Sequence, residues 1–150
     1  MNWERDGRDW PNRDSSRFVD AAGLRWHVQQ MGRGPTLLLL HGAGAATHSW
    51  RDLMPLLATD FTVVAPDLPG HGFTAPAPAA MRSLPGTAAA VSGLAQALGL
   101  SPRAIVGHSA GAAISAEMAL NQASTAPAPR QLVWLGAALL PFQGLAGQLA

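Results

Sequence analysis

The segment Ala104-Ile105-Val106-Gly107-His108-Ser109-Ala110-Gly111-Ala112 passes from an apolar run through a tight turn into an alanine-rich stretch of helical character. Gly107, Ser109 and Gly111 form a G-x-S-x-G pattern between a strand and a helix. That is the context of a nucleophile elbow, which lifts one hydroxyl clear of a sheet. Ser109 is therefore expected in a sparsely populated backbone conformation. Gly107 and Gly111 flank it because a Cβ at either position would collide across the bend. The competing reading is a serine that only caps the following helix.

The same strand-to-helix rhythm repeats upstream and downstream. Residues 36–40 and 61–65 are short apolar runs without alternation, which suits strands buried on both faces of a parallel sheet. The first ends in His41-Gly42-Ala43-Gly44, the second in Pro66-Asp67-Leu68-Pro69-Gly70-His71-Gly72. Ser49 and Asp52 read as a capping box opening a helix to about Ala58. Ser83 caps an alanine-rich helix to about Leu98, stopped by Gly99. Residues 110–121 are the helix after the bend, and residues 131–135 a further buried strand. Near the N-terminus, residues 17–21 and 24–31 read as an antiparallel hairpin about Ala22-Gly23. Its second strand alternates Leu24, Trp26 and Val28 with polar residues, which assigns His27 to the solvent side. Residues 1–16 are polar apart from Trp3 and Trp10 and are expected to pack over the surface. The fold class is α/β: a mostly parallel, doubly wound sheet with an N-terminal antiparallel hairpin, all 150 residues belonging to one domain.

Composition narrows the function classes. A chain 48% hydrophobic and 13% charged builds a packed core rather than a disordered coil. All ten basic residues are arginine and the net charge is +1, so no basic face is available and nucleic acid is not an expected partner. Without cysteine, disulfides, thiolate catalysis and cysteine-based metal sites are excluded. The first residues hold no apolar signal core, pointing to a cytoplasmic protein. Residues 132–150 carry no charge, but Gly136, Pro141, Gly144 and Gly147 interrupt them. A buried strand and an apolar cap segment are expected there rather than a membrane span.

In an open α/β sheet, ligands bind at the carboxyl ends of the strands, where the three motifs gather. Ser109 is the candidate catalytic nucleophile. Acyl transfer to a serine needs two amide donors aimed at the developing oxyanion. Ala110 supplies one and Ala43 the other, with Gly42 and Gly44 permitting close backbone approach. His41 is expected to prop this loop by hydrogen bonding, His48 and His71 to lie near the pocket mouth, and His108 to point away from the hydroxyl. The rival reading of Gly42-Ala43-Gly44 is a dinucleotide fingerprint. Thr47 stands where its third glycine belongs, and Asp67 is the one acid placed to hold a ribose. No metal site is read, because the histidines lack ligand spacing with acids. No cofactor is expected.

Leu37-Leu38-Leu39-Leu40-His41-Gly42, Asp67-Leu68-Pro69-Gly70-His71-Gly72 and Gly107-His108-Ser109-Ala110-Gly111, in this order, resemble the α/β-hydrolase superfamily over residues 16–136. Within it, Asp9-Trp10-Pro11-Asn12-Arg13, Leu24-Arg25-Trp26-His27-Val28-Gln29 and Gly44-Ala45-Ala46-Thr47-His48-Ser49-Trp50-Arg51 resemble the magnesium-chelatase accessory proteins of bacteriochlorophyll biosynthesis, the BchO type. The resemblance implies a photosynthetic bacterium and a serine hydrolase acting on an ester-like or activated carbonyl, or else a non-catalytic porphyrin-binding accessory. As partners it implies a small-molecule substrate, a tetrapyrrole among the candidates, and magnesium-chelatase subunits.

In that superfamily the acid and the histidine of the triad follow the serine along the chain. Here Glu117 is the one acid after Ser109, and no histidine follows. The 150 residues therefore read as the N-terminal portion of a longer hydrolase domain, without its cap, acid strand and histidine loop. Alone, they are expected to be nearly inactive, with their last strand left as an exposed apolar edge.

Overall fold

The computed structural model describes residues 1–121 and 129–138. Among these, six strands form one sheet in the order β1-β2-β4-β3-β5-β6. They are β1 (Ser16–Ala21), β2 (Leu24–Met31), β3 (Thr36–Leu40), β4 (Thr62–Pro66), β5 (Ala104–His108) and β6 (Gln131–Leu135). β1 and β2 form the expected antiparallel hairpin, and β2 also runs antiparallel to β4. The pairs β3–β4, β3–β5 and β5–β6 are parallel.

The apolar runs are explained by burial on both sides. Leu38 and Leu40 of β3, with Val64 and Ile105, face a core shared with helices α3 (Leu84–Ala97) and α4 (Ala110–Asn121). Leu39, with Val63, Ala65 and Val106, faces a second core against Trp50 and Met54. A central strand of a doubly wound sheet has no wet face, so its sequence does not alternate.

Helix α3 begins and ends where its sequence says it should. The Ser83 side chain accepts a hydrogen bond from the Gly86 N–H at 3.2 Å, and Gly99 adopts φ +63° beyond the last turn. The Leu100 N–H reaches the Ala95 carbonyl at 2.9 Å and the Gly99 N–H the Gln96 carbonyl at 3.0 Å, completing a Schellman stop.

The capping box at Ser49 does not form. A 3-10 turn spans Thr47–Trp50, and the α-helix α2 (Leu53–Leu57) starts afresh after Asp52, whose side chain makes no capping bond. Pro55 is the reason. A helix running from Ser49 would place it in the interior, where it could donate nothing to the Arg51 carbonyl. Starting at Leu53 puts it in the first turn, and the Arg51 carbonyl instead accepts from the Asn12 side chain at 3.1 Å.

β6 is not buried on both faces as its apolar run suggests; it is the exposed apolar edge expected of these residues alone, with Val133 43%, Trp134 43% and Leu135 39% exposed at the sheet margin. The Trp134 indole N–H donates to Ser115 Oγ at 3.0 Å, fastening the inner side of the strand to α4. The expected cap segment at residues 139–150 lies outside the described residues. Among the described residues, no helix is long and apolar enough to cross a membrane.

Candidate active site

Sheet register assembles the site. Leu40 of β3 pairs with Gly107 of β5, so the loop beginning at His41 and the bend at His108 leave the sheet side by side. Ser109 has φ +52°, the left-handed region that a non-glycine residue enters at a cost of about 1–3 kcal/mol. Its backbone is held on both sides: its N–H donates to the Leu135 carbonyl at 3.0 Å, and its carbonyl accepts from Ala112 at 3.0 Å and Ala138 at 3.2 Å. The helix-cap reading of this serine does not require such a conformation, because an N-cap residue ordinarily sits in the β region.

The flanking glycines are where the bend needs them. A methyl group at Gly107 would lie 2.5 Å from the Gly111 carbonyl oxygen and 2.6 Å from the Ala112 Cα. One at Gly111 would drive into the Leu40 carbonyl oxygen and come within 2.7 Å of that of His41. Gly42 is packed onto the bend as well, since a Cβ there would sit 3.0 Å from Ser109 Cβ and 3.1 Å from His108 Nδ1. Gly44 takes φ +72°, and the Ala45 N–H closes a turn onto the Gly42 carbonyl at 3.2 Å. Among the described residues, neither the Ala43 nor the Ala110 amide donates to a backbone acceptor.

His41 is fully buried and both ring nitrogens are engaged. Nδ1–H donates to the Gly42 carbonyl at 2.8 Å, and Nε2 accepts from the Leu68 N–H at 2.8 Å. It is a prop, as expected, and unavailable as a base. Burial lowers its pKa from the ordinary 6.5 to about 4, against the opposing pull of the Gly42 carbonyl and Asp67. Between those values the unfolded chain binds a proton that the folded chain refuses. The His41 contribution to stability is therefore complete above pH 6.5 and is lost as pH falls through 4. The urea midpoint of the intact protein is expected to drop across that window, and a flat midpoint would contradict a neutral, buried His41.

His27 overturns its assignment to solvent. It is fully buried, and Nδ1 donates to Asp67 Oδ2 at 2.7 Å. The alternation misled because the N-terminal segment covers the polar face of β2. Trp3 of α1 (Trp3–Asp6), Trp10, Phe18 and Phe73 surround the imidazole with ring centroids 4.8–6.5 Å from it or from one another. Two tryptophans in an otherwise polar leader were the available signal. Asp67 is committed to this pair and to the Thr47 and Phe73 amides, so it cannot serve as the ribose acid of a dinucleotide site. His48 and His71 are half-buried in the loops beside the site. His108 is exposed, its Nε2 3.9 Å from where a Gly136 Cβ would stand.

Similarity to known proteins agrees with this geometry. The chain is 40% identical over 141 residues to the magnesium-chelatase 30 kDa subunit of Rhodobacter capsulatus, covering 93% of this chain and 48% of that protein. It is 32% identical to the 2-hydroxy-6-oxo-2,4-heptadienoate hydrolase of Pseudomonas putida, covering 88% of this chain and 48% of that enzyme. The structure of Cfl2 from Burkholderia cenocepacia matches with a TM-score of 0.74 at 29% identity, over 89% of this chain and 47% of that one. The chain thus spans about half the length of the curated relatives it matches. Residues 35–130, which hold the Gly42 loop, the Asp67 turn and the Ser109 bend, match the family model described as the alpha/beta hydrolase fold, and the chain belongs to that family.

Proposed function

We propose that Ser109 is the nucleophile of a hydrolase acting on an ester-like or activated carbonyl, in a protein that serves as an accessory to a magnesium chelatase. The observation that carries this reading is the φ of +52° at Ser109 on a bend packed against Gly42. Ser109 Oγ attacks the carbonyl carbon, and the carbonyl oxygen takes up the electron pair between the Ala43 and Ala110 amides. Preorganised amide donors of this kind are worth about 10²–10³ in rate each. The serine proton needs a base. All five histidines of this sequence lie before Ser109, with His41 and His27 already engaged. The proposal therefore assigns the base and its orienting acid to residues of the intact protein outside these 150. The accessory role is supported by the similarity to a magnesium-chelatase subunit.

The second reading, a non-catalytic porphyrin-binding accessory, is favoured by the same observation, that no histidine follows Ser109 in these 150 residues. A fluorophosphonate separates the two. The intact protein is expected to take up one phosphonyl group, and Ser109→Ala to take up none, with ester turnover falling by about 10⁴–10⁶. Tetrapyrrole binding by a protein whose Ser109 resists the reagent would sink the hydrolase reading in favour of the carrier.

A further inference from the structure

The buried Asp67 and His27 take no part in the chemistry proposed above, yet they are wired to the loop that bears Ala43. Asp67 Oδ1 accepts from the Thr47 N–H at 2.7 Å, at the far end of that loop. The next residue, Leu68, donates its N–H to His41 Nε2 at 2.8 Å, at the near end. The end of β4 therefore grips both ends of the segment from His41 to Thr47. Oδ2 of the same carboxylate takes the His27 ring N–H at 2.7 Å and the Phe73 N–H at 2.9 Å, which fixes its orientation. From outside, the Trp10 indole donates to Thr47 Oγ1 at 2.9 Å, tying the N-terminal segment to the same point. Burial alone would push the Asp67 carboxyl up; the His27 hydrogen bond and the two amides overcome this and keep it below its ordinary value.

We infer that Asp67, oriented by His27, is a positioning residue that sets where the Ala43 amide points, and that the N-terminal segment closes over the pair to keep water from it. A carboxylate in this place does what a longer loop could not do for itself. Between its two ends the loop has the Ala45-to-Gly42 turn bond, the His41 ring bond to the Gly42 carbonyl and the Ser49 bond to the Ala46 carbonyl, none of them holding Ala43 directly, and two of its residues are glycines. Without the Asp67 grip on its backbone, the far end of the segment is held through the Thr47 side chain by Trp10 and by the Ser49-to-Ala46 bond. The amide then samples positions about 1 Å or more away from its working place, a displacement that costs about 10²-fold in rate.

The effect on reaction rests on the Ser109 reading, but the effect on the loop does not, and the test uses both. In the intact protein, Asp67→Ala is expected to speed hydrogen exchange at the Ala45 and Thr47 amides at least tenfold while β3 and β5 remain protected. Its maximal rate of phosphonylation at Ser109 should fall about 100-fold, with the half-saturating reagent concentration little changed. Asp67→Asn keeps an acceptor for Thr47 and should recover most of that rate. Thr47→Pro is a second route. Proline is tolerated at the first residue of a helical turn and removes the gripped N–H while leaving Asp67 and His27 paired. It also loses the Trp10 bond to Oγ1, so Thr47→Ala, which loses that bond and keeps the N–H, is its control, and the pair decides the matter where Asp67→Ala does not fold. Wild-type exchange at the Ala45 amide in the folded Asp67→Ala and Thr47→Pro variants overturns the inference. A wild-type protein whose Ser109 resists the reagent, but whose loop responds as described, sinks the proposed chemistry and leaves the positioning role standing.

Discussion

Gly111→Ala is expected to destabilise the intact protein by about 3 kcal/mol or more, at or above the upper end for an overpacked core. The added methyl group has nowhere to go. It would meet the Leu40 carbonyl oxygen and lie 2.7 Å from the His41 carbonyl oxygen, both belonging to the central strand or its immediate continuation. Backbone in the middle of a sheet cannot swing aside as a side chain can, so helix α4 would have to lift off β3. Gly44→Ala is the matched control. It has no neighbour within 4 Å of the added group, and its cost is limited to the strain of φ +72°, about 1 kcal/mol. Urea midpoints measure both. Equal midpoint shifts for the two variants would mean that the close approach of α4 to β3 does not set the cost.

Trp26→Ala is expected to remove about 3–5 kcal/mol, a large part of the stability of an ordinary domain. The indole is completely buried in the core beneath α3, and its N–H donates to the Ala21 carbonyl at 2.9 Å across the hairpin. Its removal leaves a large cavity at the junction of β1 and β2 with the rest of the sheet. Trp26→Phe refills most of the volume and loses the hydrogen bond, so it should recover more than half of the loss. A thermal scan of the three proteins ranks them, and near-identical melting of the alanine variant and the wild type would contradict a filled, immobile core at this point.

Residue chemistry made some elements legible and hid others. Apolar runs bounded by glycine and proline were enough for the parallel strands, because burial on both faces leaves a strand one compositional choice. Ser83 and Gly99 marked α3 because caps are local hydrogen bonds made within a few residues of the chain. The start of α2 was legible in Pro55, which bars a helix from Ser49, but the partner of the freed Arg51 carbonyl, Asn12, is far away in sequence. His27 was misread because its own partners are distant too. Alternation on β2 reports two environments, and what covers the polar one is the folded-back N-terminal segment. The exposed face of β6, by contrast, was legible, as the apolar edge expected of the last strand in this stretch.

By itself the sequence determined the strand-bend-helix at Ser109, the glycines that allow it and the loop that was to face it, since each is a matter of steric fit between neighbours in the chain. Tertiary structure alone decided that Leu40 pairs with Gly107, that Gly42 closes on Ser109, and that Asp67 and His27 share a hydrogen bond in the interior. These contacts join residues 40 to 67 apart in number, and the neighbouring pairs Leu68–His41 and His27–Thr74 are 27 and 47 apart. A residue's side chain states what it can bond to, and only the packed sheet states which partner is brought within reach.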